Sequence, residues 1–121
     1  KIISVILAVL LAVGVLPFYT FAQDDVESYL TYSVTADGIT ITDCDTSLAG
    51  TITVPATING KPVTAIGNNA FYECKNLTTV ILPTGLLTIG TNAFAYCTSL
   101  VRINIPASVT SVENNAFCIY K

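Results

Sequence analysis

Apolar residues recur along this chain at a fixed interval. Phe71, Phe94 and Phe117 are spaced by 23 residues. Val63, Leu86 and Val109 precede them at one constant offset, and Ile66, Ile89 and Val112 at another. Leu77 and Leu100 follow, then Val80 and Ile103, then Leu82-Pro83 and Ile105-Pro106. A period in the twenties marks a solenoid, in which stacking neighbours bury what no single repeat can bury alone. Each period divides into three parts. Leu77-x-x-Val80-x-Leu82 predicts a strand whose alternate side chains enter the core. Pro83 ends it, lacking an amide hydrogen for the ladder. Leu86 to Ile89 predicts a second short extended segment on another wall, closed by Gly90-Thr91. Asn92 to Cys97 predicts a short helical turn, with Asn92 placed to cap its first amides. Phe94 then fills the space between the walls.

The same pattern reaches backwards. Ile52, Val54 and Pro55 match the later strand triplets, so Thr51–Pro55 is the first rung. Five extra residues follow before the next phenylalanine. They fall around Asn59-Gly60-Lys61-Pro62, a turn sequence. Further upstream, Tyr32, Val34 and Ala36 alternate with polar residues, as do Ile39 and Ile41. Asp37-Gly38 between these runs predicts a hairpin. Residues 30–50 are thus expected to cap the first apolar face of the stack. The repeats occupy 51–121, the last one incomplete.

The positions between the inward residues of each strand must face out. They form two columns: Thr51, Thr79 and Arg102, then Thr53, Ile81 and Asn104. Arrays of this kind commonly bind along an extended strand face. Any ligand is expected there, with Ile81 and Arg102 as anchors.

The first 22 residues stand apart. Lys1 precedes an apolar run from Ile2 to Leu16, and Pro17 follows. Thr20 and Ala22 supply the small residues of a cleavage site after Ala22. A basic start, a short apolar centre and a small-x-Ala end read as a secretory signal peptide. An uncleaved membrane anchor is the alternative, but it needs about 20 apolar residues. The membrane would then be met only through this signal during export. Residues 23–29 form an acidic tail carrying Asp24, Asp25 and Glu27.

Charge and composition remove several classes of chemistry. The net charge is −3, with 5 basic residues against 8 acidic ones, so there is no basic footprint for nucleic acid. Histidine is absent, which leaves a cysteine nucleophile without its usual base. No Cys-x-x-Cys pair suggests zinc. Asp37, Asp43 and Asp45 lack the spacing of a calcium loop and suit turns. No catalytic residue, metal or cofactor is therefore expected. Cys44, Cys74, Cys97 and Cys118 are even in number, which favours disulfides in an exported chain. Cys74 and Cys97 hold one repeat position, however, and parallel Cβ vectors suit a bridge poorly. A ladder of free thiols is the favoured reading. Cys44 and Cys118 fall near opposite ends and should not meet.

Ala70-Phe71-Tyr72-Glu73-Cys74, continuing through Leu77, Val80, Leu82, Pro83, Leu86, Ile89 and Gly90, resembles the BspA-like leucine-rich repeats. The pattern runs again from Ala93 to Val112, and Asn59 to Gly67 resembles that family's first repeat. Glu113 departs from its glycine, and Tyr120 stands where a cysteine belongs. The resemblance implies a mainly β leucine-rich-repeat solenoid with short helical turns, about three rungs behind the hairpin cap. It further implies a bacterial or microbial-eukaryotic surface protein; several such proteins bind host matrix or plasma proteins, or other cells. The expected function is a secreted or cell-surface binding module whose partner is an extracellular protein or cell-surface ligand. The alternative is a spacer or targeting region of a larger exported protein, with an enzyme domain beyond residue 121.

Overall fold

Each 23-residue period supplies enough chain for one turn of a coil, and its apolar columns become the inside of that coil. The computed structural model describes residues 28–119. The signal peptide expected over 1–22 lies outside the described residues, as does most of the acidic tail. Strands β1 (Leu30–Thr35) and β2 (Gly38–Cys44) come first, then β3 (Ala49–Thr53), β4 (Thr57–Ile58) and β5 (Lys61–Ile66). The later repeats add β6 (Asn76–Ile81), β7 (Thr88–Ile89), β8 (Arg102–Ile103) and β9 (Ser111–Val112). The described residues hold almost no helix.

Two walls of the coil are parallel sheets. In one, Ile41 pairs with Ile66, Ile66 with Ile89 and Ile89 with Val112. In the other, Ile52 pairs with Val80 and Val80 with Ile103. The sequence columns are thus the ladder registers. Slipping any strand by one residue would turn its apolar set outward.

The third wall is made of turns rather than helix. Its amides alternate between two kinds of partner. The amides of Ala70 and Tyr72 donate within their own rung, to the carbonyls of Gly67 at 3.3 Å and Asn69 at 3.1 Å. Those of Phe71 and Glu73 donate to the next rung, to Ala93 at 2.7 Å and Ala95 at 2.9 Å. Phe94 and Tyr96 repeat this towards Ala116 and Cys118. A true helix would turn every amide back on its own rung. The alternation instead leaves half of them free to bind rungs together, satisfying buried backbone groups that would otherwise be costly.

This arrangement corrects the role expected for Asn92. Asn69, Asn92 and Asn115 lie at φ 60°, 58° and 59°, in the left-handed region. A helix-capping residue has an extended backbone instead. Asparagine recurs here because it tolerates the left-handed conformation that redirects the chain into the turn wall. A β-branched residue does not. Asn92→Val should therefore cost about 1–2 kcal/mol, whereas Asn92→Gly should leave stability nearly unchanged. Urea melts of the two variants would check this; equal losses would mean that the side chain, not the backbone, is what matters.

The cap forms as a hairpin, but its turn is displaced from the expected place. Thr35 pairs with Gly38, so Ala36 and Asp37 make the turn. Gly38 begins β2 at φ 140°, where a Cβ would lie 2.5 Å from the Pro62 carbonyl oxygen. Glycine is needed for that close approach as much as for the turn. β2 pairs with β1 on one side and in parallel with β5 on the other. Leu30, Ile39 and Ile41 are buried, whereas Val34 on the edge strand is exposed.

The five-residue insertion is a second hairpin. Thr57 pairs with Pro62 and Ile58 with Lys61. Asn59 and Gly60 between them have φ 52° and 78°, the pair of left-handed residues that a two-residue hairpin turn requires. Ile58 turns into the core, and the Asn59 side-chain amide donates to the Tyr32 hydroxyl at 3.1 Å. The insertion is thereby tied back to the cap.

Phe71 and Phe94 are fully buried, and their rings stack at 4.9 Å. Phe94 and Phe117 stack at 5.4 Å. These distances are close to the spacing of neighbouring strands, so the ring column follows the coil itself.

Candidate binding face

Strands β3, β6 and β8 place the expected outward residues. Thr51 pairs with Thr79 and Thr79 with Arg102, while Thr53 pairs with Ile81. Both columns form, since alternate positions along a strand must leave by opposite faces. Thr51, Thr53, Ile81 and Arg102 are exposed, and Thr79 is half-buried by its neighbours. Asn104 is exposed too but lies beyond the end of β8. Its carboxamide is already engaged: it accepts from the Leu82 amide at 2.7 Å and donates to the Leu82 carbonyl at 3.2 Å. Asn104 therefore mimics one more strand pair and holds the third rung against the second. Its backbone position gives no sign of this.

Alternation did not single out one further residue on this side. Val101 stands 23 residues after the exposed Thr78 and is 84 % exposed, the highest value among the exposed large hydrophobics. With Ile81 it gives the face an apolar character around one cation. Beside Arg102 lies an open groove of about 380 Å³, walled by Phe94, Leu100, Ile103, Phe117 and Ile119 as well as Val101. The opposite sheet differs. Its outward register is Thr40, Ala65, Thr88 and Ser111, all small and half-buried.

The acidic residues make local bonds. Asp43 accepts from the Cys44 amide at 2.9 Å and Asp45 from the Ser47 amide at 2.8 Å. That bond holds the Asp45 carboxyl below its ordinary range. Glu73 pairs loosely with Lys75 at 3.9 Å, both exposed. Among the described residues no group of three or more metal-ligating side chains is gathered.

Cys74 and Cys97 hold the same position in adjacent repeats. Cys44, Cys74 and Cys97 are buried, and Cys118 is half-buried. The Cys97 thiol donates to the Phe71 carbonyl at 3.0 Å, inside the turn of the preceding rung. Burial, and then the neighbouring Cys74, push its pKa up to about 12. It is an inert core residue rather than a nucleophile.

A search of curated proteins gave no match. Among solved structures, a leucine-rich repeat protein of T. pallidum is 34 % identical, with a TM-score of 0.71 over 75 % of this chain. The chain spans only 43 % of that protein's length. A leucine-rich repeat protein from Bacteroides capillosus is 36 % identical, with a TM-score of 0.64 over 73 % of this chain and 69 % of its own. A leucine rich cell surface protein from Faecalibacterium prausnitzii is 33 % identical, with a TM-score of 0.60 over 69 % of this chain and 24 % of its own. Residues 46–121 match the model of the BspA type leucine-rich repeat region. The match covers the rungs whose phenylalanine and isoleucine columns build the coil, and the chain belongs to the BspA-type leucine-rich repeat family.

Proposed function

We propose that this chain is the binding module of an exported, surface-displayed repeat protein, and that it holds an extracellular protein through the β3–β6–β8 face. The observation that carries the reading is the register of that face. Thr51, Thr79 and Arg102 stand in line, beside Thr53 and Ile81, on a backbone fixed by ladder bonds. Rigid residues lose little freedom on binding, so more of their contact energy survives as affinity. Ile81 and Val101 offer apolar contact, and Arg102 sets a preference for an acidic site on the partner. The surface location is supported by the order of residues 1–22 and by the Faecalibacterium neighbour, which is described as a cell surface protein.

Size limits the strength of this contact. Three strands about 4.8 Å apart span roughly 10–15 Å. A standard interface needs about 800 Å² from each partner. The chain alone should bind weakly, and a longer array with more strands should bind better.

The test is a binding series on immobilised extracellular-matrix and plasma proteins. It compares this chain, a longer array containing it, and that array carrying Ile81→Asp with Arg102→Glu. The double change is expected to weaken binding at least tenfold. An unchanged affinity would remove recognition from this face and favour the spacer reading.

A further inference from the structure

We propose that Asn59-Gly60 is a deamidation site, and that its conversion loosens the inserted hairpin from the cap. Asparagine is among the thermally labile side chains. It reacts by closing a succinimide ring, in which the next residue's backbone nitrogen attacks the asparagine Cγ. Closure is favoured where the next residue has no Cβ to crowd the attack and where its amide is not committed to a hydrogen bond. Asn59-Gly60 is the one Asn-Gly pair in the sequence. Both residues are exposed, and a Cβ on Gly60 would meet nothing within 4 Å. Among the described residues nothing accepts from the Gly60 amide. The other asparagines are held differently. After Asn68, Asn69, Asn76, Asn92 and Asn115 the next amide already donates to a backbone carbonyl, at 2.9 to 3.3 Å. Asn104 has its carboxamide on Leu82, and Asn114 is followed by a residue with a side chain. The fold thus protects the asparagines that build its rungs and leaves Asn59 open.

Water is the only co-reactant. The Gly60 amide loses its proton to base, and its nitrogen attacks the Asn59 Cγ. The Cγ–Nδ2 bond breaks, and ammonia leaves with the proton that the Gly60 amide gave up. Water then adds to one carbonyl of the ring. Its hydroxyl stays on that carbon, the carbon–nitrogen bond breaks, and its proton goes to the nitrogen. Opening at the side-chain carbonyl gives aspartate. Opening at the main-chain carbonyl gives isoaspartate, whose backbone runs through the former side chain. Either route consumes one water and releases one ammonia, with no change of oxidation state. Local opening of the hairpin supplies the freedom that ring closure needs, since exposed turns open most easily. The Asn59 side-chain amide donates to the Tyr32 hydroxyl at 3.1 Å, the bond that ties the insertion to the cap. Both products lose that donor. The Tyr32 hydroxyl can donate to an aspartate in return. Isoaspartate instead lengthens the backbone by one carbon, in a turn whose φ values of 52° and 78° set the pairing of Ile58 with Lys61. Ile58 is buried, so the strain reaches the core.

The experiment incubates the full chain, folded, in mildly alkaline buffer well below its melting midpoint. Ammonia release is followed over time, and isoaspartate is measured by enzymatic methylation of its free carboxylate. Digestion after Glu27 and Glu73 isolates residues 28–73, whose asparagines are Asn59, Asn68 and Asn69, and mass-spectrometric fragmentation places the change. Asn59 is expected to convert roughly tenfold faster than any other asparagine, with isoaspartate as the main product. Asn59→Asp suits the same turn and has no amide to lose, so it should fold and release no early ammonia. The aged chain should melt several degrees below both the fresh chain and Asn59→Asp, because only ageing makes the lengthened backbone. Asn59 still intact when other asparagines have converted, or early ammonia from Asn59→Asp, would overturn the site. A chain converted to isoaspartate at Asn59 that melts with Asn59→Asp would overturn the loosening of the hairpin.

Discussion

Phe94→Ala is expected to lower stability by about 3–5 kcal/mol, the usual cost of emptying a phenylalanine site in a core. Phe94 has no exposed surface and stacks on Phe71 at 4.9 Å and Phe117 at 5.4 Å. Truncation therefore removes two ring contacts and leaves a cavity between rungs. The walls cannot collapse into it. The Phe94 amide is bonded to the Ala116 carbonyl at 2.7 Å, and its carbonyl accepts from Cys97 at 3.4 Å. A domain of this size has roughly 5–15 kcal/mol in total, so the loss should move the melting midpoint by roughly 10 °C or more. Phe117→Ala is the comparison, because Phe117 is only half-buried and stacks on one side. It should cost clearly less. Equal midpoints for Phe94→Ala and the parent chain would show that the ring column does not carry the core.

The coil was legible because each rung repeats one demand. A column such as Ile41, Ile66, Ile89 and Val112 must face one way, and the interval between its members locates every wall. The cap was legible in part. Alternation showed the hairpin but put its turn on Asp37-Gly38, because glycine signals a turn and a close approach alike. Here the Pro62 carbonyl decides. The recurring asparagine has the same ambiguity. Asparagine favours both helix caps and left-handed residues, and only the backbone at φ 58° separates them at Asn92. Cys44 escaped the repeat altogether. It precedes Cys74 by 30 residues, not 23, since the inserted hairpin and an irregular first coil lie between them. On the β3–β6–β8 face, strand parity put Thr51, Thr53, Thr79, Ile81 and Arg102 outward, and the structure leaves all of them exposed except the half-buried Thr79. Parity could not show that Asn104 bonds Leu82, because that bond depends on where β8 stops.

Gly90→Ala should destabilise the chain by about 1–3 kcal/mol, the range for overpacking a tight site. A Cβ at Gly90 would lie 2.5 Å from the Asn68 side-chain oxygen, 2.7 Å from the Asn68 amide nitrogen and 2.8 Å from the Gly67 carbonyl carbon. Two of the three obstacles are backbone and cannot swing aside. The rungs cannot part there either. The Gly90 amide donates to Ile66 at 2.8 Å, and the Thr91 amide donates to the same Asn68 oxygen at 2.8 Å. Relieving the clash would break those bonds. An opposing effect exists, since alanine reduces the freedom of the unfolded chain and can stabilise by about 0.4–1 kcal/mol. The clash should win because no flexible side-chain end is available to absorb the backbone contacts. Glu113 carries a side chain at the equivalent place, where its carboxylate accepts from the Ser111 hydroxyl at 2.7 Å. It lies on the last described rung and can shift, whereas Gly90 is held between two rungs. Gly85→Ala is the matched control: it makes the same chemical change, with nothing within 4 Å of the added methyl. That variant should melt at or slightly above the parent, and Gly90→Ala several degrees below. If the two variants melt together, the rungs are not in contact at Gly90, and the glycine there reflects the turn rather than the packing of the coil.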